Sequence, residues 1–296
     1  MIHTSSHFLL RFIARQDWLR VGIRNRVLWK FCSPERITSH EFTTDFFEFK
    51  YRGNLNCYID WVVYFFGAYE KQELSLLSNM AKTMHKPIFI DVGANVGQHS
   101  LYMSQYCEEV HAFEPYERVR KFLEEKVKLN EIQNIYIHGF GLSDTDGELE
   151  FFEPIGCNTG TGSFSSNRAY TNTSSLVLQV VNGDTYLKKI SPPKVDIIKI
   201  DVEGFESNVI FGLTNTLNKF RPIVVMEFSK TTQVAFENLN KLISSFPPRY
   251  EVRHIVCDTS YYTFFNRPKY KLLPFDFEKS TGDIMFYPVE KDIFNT

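Results

Sequence analysis

The chain has 296 residues, 43% hydrophobic and 23% charged, so it falls in the ordinary globular range and is long enough to bury a full core. Its 33 basic residues nearly cancel its 35 acidic ones, which argues against nucleic acid and makes a small molecule or a glycan the expected partner. The five cysteines are scattered singly, with no CxxC pair or Cys/His cluster, so neither a disulfide frame nor a zinc site is expected and a reducing, cytoplasmic setting is.

The first 36 residues are basic: Arg11, Arg15, Arg20, Arg24, Arg26, Lys30 and Arg36 stand against Asp17 and Glu35. Phe8, Leu9, Phe12, Ile13, Leu19, Ile23, Val27 and Leu28 recur at helical spacing, which predicts a basic helical extension over 1–55. Such a helix either caps the main domain or lies peripherally on an anionic inner membrane surface. No apolar run approaches the roughly 20 residues that cross a bilayer, and Arg11, Arg15 and Asp17 interrupt the stretch a signal peptide would need. The aromatic, then helical, segment from Asn56 to Met84 reads either as an edge of the main domain or as one wall of a substrate pocket.

Over 56–296 short β-branched runs alternate with helical stretches, the pattern of a βαβ-built sheet. Strands are predicted at Ile88 to Asp91, Val110 to Phe113, Ile135 to Phe140, Val195 to Ile200, Ile223 to Glu227, Tyr250 to Val256 and Asp283 to Tyr287. Helices are predicted at Gly97 to Tyr106, Tyr116 to Leu129, Gly204 to Phe211 and Thr232 to Ser245. The segment between the last two strands lacks a crossover helix, which predicts a reversed strand at the sheet's end. The region near 147–187 reads as a β insertion with a polar, mobile tip, CNTGTGSFSSN. The fold class is therefore α/β, a Rossmann-like, class I methyltransferase-type sheet of seven mostly parallel strands with helices on both faces.

The chemistry concentrates at the carboxyl ends of these strands, where α/β sheets bind ligands. The first strand ends in Asp91 and turns through Gly93 and Gly97 into a helix, and glycines there allow a tight turn and close approach to a ligand. Asn95 and Val96 stand where a dinucleotide-binding G-x-G-x-x-G loop wants glycine or open space, which favours an S-adenosylmethionine loop over NAD. Glu114 ends the second strand, where a carboxylate accepts hydrogen bonds from ribose hydroxyls. Ser143 and Asp144 follow the third strand, in reach of an adenine ring or as a turn cap. Asp201 and Glu203, alternating about Val202, and Glu227 one strand over form a trio of acids. Methyl transfer to a hydroxyl needs a base, for which Glu203 or Glu227 is the candidate, with Asp201 positioning. His99, in the first turn after the glycine loop, either faces the pocket or is merely exposed. No histidine or carboxylate spacing typical of metal ligands stands out, so no metal site is argued, although the clustered carboxylates alone could hold magnesium.

The blocks FIDVGANVGQHSLYMS, VHAFEP, GLSDTDGELEF and IIKIDVEGFE, in this order, resemble the FkbM family of methyltransferases, and the upstream FGAYEKQEL with Glu70 is similar to that family's lead-in segment. The resemblance covers about Tyr58 to Phe228. It implies an S-adenosylmethionine-dependent O-methyltransferase of sugars, glycans or related molecules, with Asp91, Gly93, Asn95, Gly97 and Glu114 at the cofactor, Asp144 near adenine and Asp201 to Glu203 beside the reacting centre. Glu70 and His99 are the candidate substrate residues. An NAD-dependent oxidoreductase and an N-methyltransferase stand as alternatives, distinguished by cofactor and by acceptor atom.

Overall fold

Every residue of the strand Ile88–Val92 is buried, as in a sheet covered by helices on both faces. A computed structural model describes residues 4–16, 21–37, 39–154, 162–164, 175–258 and 269–291. Helices α1 (Thr4–Ala14) and α2 (Val21–Cys32) come first, followed by a hairpin of β1 (Glu41–Phe46) and β2 (Phe49–Asn54). The segment expected to be helical is therefore half hairpin, because EFTTDF and FKYRGN bury alternate residues. Helices α3 (Tyr58–Phe66) and α4 (Lys71–Lys82) lead to β3 (Ile88–Val92), α5 (Gln98–Met103), β4 (Glu109–Phe113), α6 (Glu117–Leu129) and β5 (Ile135–His138). A small sheet of β6 (Gly141–Ser143), β7 (Gly147–Phe152) and β8 (Ser175–Asn182) intervenes. The chain continues through α7 (Gly183–Ile190), β9 (Ile197–Ile200), α8 (Glu206–Gly212), α9 (Thr214–Phe220), β10 (Ile223–Phe228), α10 (Lys230–Phe236), α11 (Leu239–Ser244), β11 (Tyr250–Asp258), β12 (Lys269–Pro274) and β13 (Gly282–Pro288).

The main sheet has the order β12-β11-β13-β10-β9-β3-β4-β5. Strands β5, β4, β3, β9 and β10 run parallel, and β13 is antiparallel to both neighbours. This is the mostly parallel α/β sheet of class I methyltransferases, with the last strand reversed. Two details differ from expectation. The reversed strand inserts between β10 and β11 instead of closing the edge, and the segment before it supplies an eighth strand, β12, paired with β11. Side chains alternate between two cores. Phe89, Ile197 and Val225 pack with α4 and α5 on one face; Ile90, Ile198 and Val224 pack with α8 and α9 on the other.

Three local boundaries also moved. The helix expected over Thr232 to Ser245 breaks at Glu237, whose φ is 63°, and restarts at Asn238, whose side chain accepts from the Lys241 N–H. The third strand stops at His138, and Gly141–Ser143 joins the small sheet instead. The β insertion ends at Asn182, which caps α7 by accepting from the Thr185 N–H. Most of the CNTGTGSFSSN tip, with Cys157, lies outside the described residues, as does the Cys257 side chain. Cys32, Cys57 and Cys107 are buried and unbridged. Among the described residues no helix is long and apolar enough to cross a membrane.

Candidate active site

The turn after β3 is built by close backbone approach. Gly93 has φ 84°, and a Cβ there would stand 1.9 Å from the Asp201 carbonyl oxygen, so β3 and β9 meet only without a side chain. At Gly97 a Cβ would stand 2.3 Å from Leu123 of α6, so this glycine serves helix packing. Asn95 holds a left-handed φ of 52° and accepts from its neighbour Val96 N–H at 2.7 Å, which explains why this position tolerates a residue other than glycine. Asp91 is buried beneath the turn and accepts from Ser100 Oγ at 2.6 Å; it braces the loop from below.

Glu114 is buried at the end of β4, where its two oxygens accept the N–H groups of Asn95 and Tyr116, each at 2.9 Å. Burial pushes its carboxyl up to about 7, against the pull of those two donors. It borders a cavity walled by Gly93, Asn95, Leu142, Asp201, Val202 and Glu203 and by the aromatic rings of Tyr116, Phe151, Phe164 and Phe205. The insertion closes this wall: Phe164 packs on Phe151 and Phe205 at 5.2 and 5.4 Å, and Ser163 Oγ donates to the Glu203 carbonyl at 2.8 Å. The wall of this cavity is thus largely aromatic, with the Glu114 carboxylate at its edge.

Ser143 and Asp144 do not line this cavity. Because residues 141–143 turn into the small sheet, Gly141 and Leu142 form the wall, Ser143 is wedged against Gly212 of α8, and Asp144 is exposed and bonded to Ser143 and Asn208.

A second cavity adjoins the first and shares Gly93, Asn95 and Asp201 with it; its further lining includes Tyr69, Glu70, His99 and Lys199. Glu70 and His99, singled out from sequence, are thus brought together. The three acids expected to converge are not. The chain leaves the extended conformation after β9, with φ of 56° at Glu203 and 101° at Gly204, so the alternation assumed for Asp201 and Glu203 fails. Asp201 lines both cavities, Glu203 only the first, and Glu227 neither; Glu227 pairs across the sheet with Asp283 of β13.

Three further buried charged residues shape the site, and of these sequence reasoning passed over Glu206 and Glu73. Lys199 of β9 lies 3.0 Å from Asp201 Oδ2. Burial alone would lower its ammonium, but Asp201, Glu73, Glu70 and Asp91 hold it well above the ordinary value. Glu206 fastens the loop that carries Asp201 and Glu203, accepting from the Val202 and Gly204 N–H groups and from Thr232 Oγ1. Glu73, one helical turn beyond Glu70, is buried beside His99, 3.5 Å from its Nε2. The signal for Glu73 was the i, i+3 spacing, visible only once a helix starts at Lys71.

The model of the methyltransferase FkbM domain matches residues 91–250. A hexuronic acid methyltransferase, AglP of Haloferax volcanii, is 32% identical over 136 residues, which make up 46% of this chain and 53% of that protein. The AMB antimetabolite synthetase AmbE of Pseudomonas aeruginosa is 27% identical over 174 residues, covering 47% of this chain and 8% of the synthetase. The chain thus spans about half the length of the first of these relatives and a small part of the second. Among solved structures, a methyltransferase FkbM from Methylobacillus flagellatus aligns with a TM-score of 0.44 at 16% identity, over 68% of this chain and 44% of that one. With a family match over more than half its length, the chain belongs to the FkbM methyltransferase domain family.

Proposed function

We propose that this chain transfers the methyl group of S-adenosylmethionine to a hydroxyl oxygen of a sugar or glycan. The observation that carries the reading is the pair of joined cavities: an aromatic one bordered by Glu114, suited to adenosine, and a polar one bordered by Glu70, His99 and Lys199, with Asp201 at their junction. The residues of the second cavity would hold the acceptor hydroxyl, and a carboxylate would take up its proton as the methyl group is transferred. Asp201 is the carboxylate best situated to receive that proton, Glu203 lies on the donor side, and Glu227 is set back from both. Supplied S-adenosylmethionine contributes the electrophilic methyl; the chain's own residues hold, orient and deprotonate. The hexuronic acid substrate of the archaeal relative supports a sugar acceptor.

Calorimetry with S-adenosylmethionine and with NAD tests the donor: binding of NAD in place of the sulfonium would overturn the reading. Mass spectrometry of glycans from cells with and without the gene tests the acceptor, with a difference of one methyl group expected on a hydroxyl.

The first two helices favour a peripheral membrane contact as well. Leu9, Phe12, Ile23, Trp29 and Phe31 are each 45% exposed or more, beside Arg11, Arg26 and Lys30. Co-sedimentation with anionic but not zwitterionic vesicles is expected, and equal partition to both or to neither would count against it.

A further inference from the structure

Two helices that frame the second cavity direct three ligand-type atoms at one point. Glu70 stands at the N-terminal cap of α4 with φ 48°, Glu73 lies in its first turn, and His99 lies in the first turn of α5. His99 Nε2 is 3.5 Å from Glu73 Oε1 and 3.7 Å from Glu70 Oε2, and one donor atom from each residue falls within 4.8 Å of the others. These separations are long for hydrogen bonds. Ligands about 2.0–2.2 Å from a metal stand roughly 3 to 3.5 Å apart at octahedral or tetrahedral angles, so a small inward shift of these side chains would bring them onto a shared ion.

Burial makes the arrangement costly unless something completes it. Glu73 is 4% exposed and His99 8%. Among the described residues, both Glu73 oxygens and His99 Nε2 are shielded from solvent with no hydrogen-bond partner of normal geometry. Around Lys199 gather Asp201, Glu73, Glu70 and Asp91, and its ammonium is taken up by Asp201. Lys199 therefore leaves the Glu73 oxygens and His99 Nε2 without a hydrogen-bond partner.

We propose that Glu70, Glu73 and His99 bind one divalent transition-metal ion, with an open coordination position facing the second cavity. An imidazole with two carboxylates suits manganese or zinc better than calcium or magnesium, which favour all-oxygen shells. Three protein ligands leave room for a water or an acceptor oxygen, whose hydroxyl the ion would polarise. That catalytic role rests on the methyl-transfer reading; the binding itself does not.

The test uses the full chain, freed of metal with a chelator, titrated with manganese chloride and followed by the electron paramagnetic resonance of free Mn(II). One ion per chain is expected, and Glu73→Gln or His99→Gln should each weaken binding by about tenfold or more. Glu108→Gln, on the surface, should leave it unchanged. S-adenosylmethionine affinity and the melting curve of each variant report folding separately. The proposal is overturned by the absence of saturable Mn(II) binding to the parent chain, or by equal binding in the parent and in folded Glu73→Gln and His99→Gln chains. A chain that binds Mn(II) but not S-adenosylmethionine sinks the methyl-transfer reading and leaves the metal site standing.

Discussion

The Lys199 ammonium lies 3.0 Å from Asp201 Oδ2, and this ion pair joins the buried floor of the sheet to the junction of the two cavities. The lysine side chain is 5% exposed, so its charge is compensated by protein carboxylates and hardly by water. Lys199→Met should leave Asp201, Glu70 and Glu73 facing one another and destabilise the fold by about 3 kcal/mol, read from urea unfolding. An unchanged midpoint would show that protons or a bound cation already neutralise the cluster.

Asp201 is the acid common to both cavities, and it is expected to dominate the chemistry. Asp201→Asn should lower kcat by about a hundredfold or more while cofactor affinity changes little. Glu227→Gln, set back from both cavities, should retain most of its turnover. The reverse ranking would move the base to β10.

The carboxyl of Glu114, pushed up to about 7 by burial, implies a pH dependence. Ribose hydroxyls donate to the ionised form, so S-adenosylmethionine affinity should increase with pH, by up to about tenfold per unit below 7, and level off above it. Glu114→Gln should bind more weakly and show a flat profile by calorimetry. Stability runs the other way. The folded value lies above the ordinary 4.5, so this group's contribution is complete below 4.5 and is lost as pH rises through about 7.

Gly93 leaves no room for a methyl group. Gly93→Ala would drive a Cβ to 1.9 Å from the Asp201 carbonyl oxygen at φ 84°. The β3 and β9 ends must part, with a stability loss of about 2 kcal/mol or more and loss of cofactor binding. Wild-type affinity in this variant would mean that the loop does not hold the donor.

Much of this was legible in residue order. The turn from Asp91 to Gly97, the strand-end Glu114 and the βαβ alternation depend on contacts among near neighbours, and periodicity reports those directly. Where other residues lie was less legible, for a common cause. Ser143 and Asp144 were assigned to the donor by their distance along the chain from a strand that in fact ends at His138. Glu203 was aligned with Asp201 by an extended period that ends at Ile200. Glu70 and His99 were singled out, but their grouping with Glu73 was not, because α4 and α5 meet through packing that no spacing rule encodes.

The sequence by itself determined the class of sheet and the position of the glycine turn after its first strand, since backbone turns and apolar alternation are local properties of the chain. Only the tertiary structure decided which acids meet. Side chains far apart in sequence feel one another through burial and charge, and β13 entering beside β10, with α4 and α5 packed against the same face, brings Asp283, Glu73 and His99 toward Lys199.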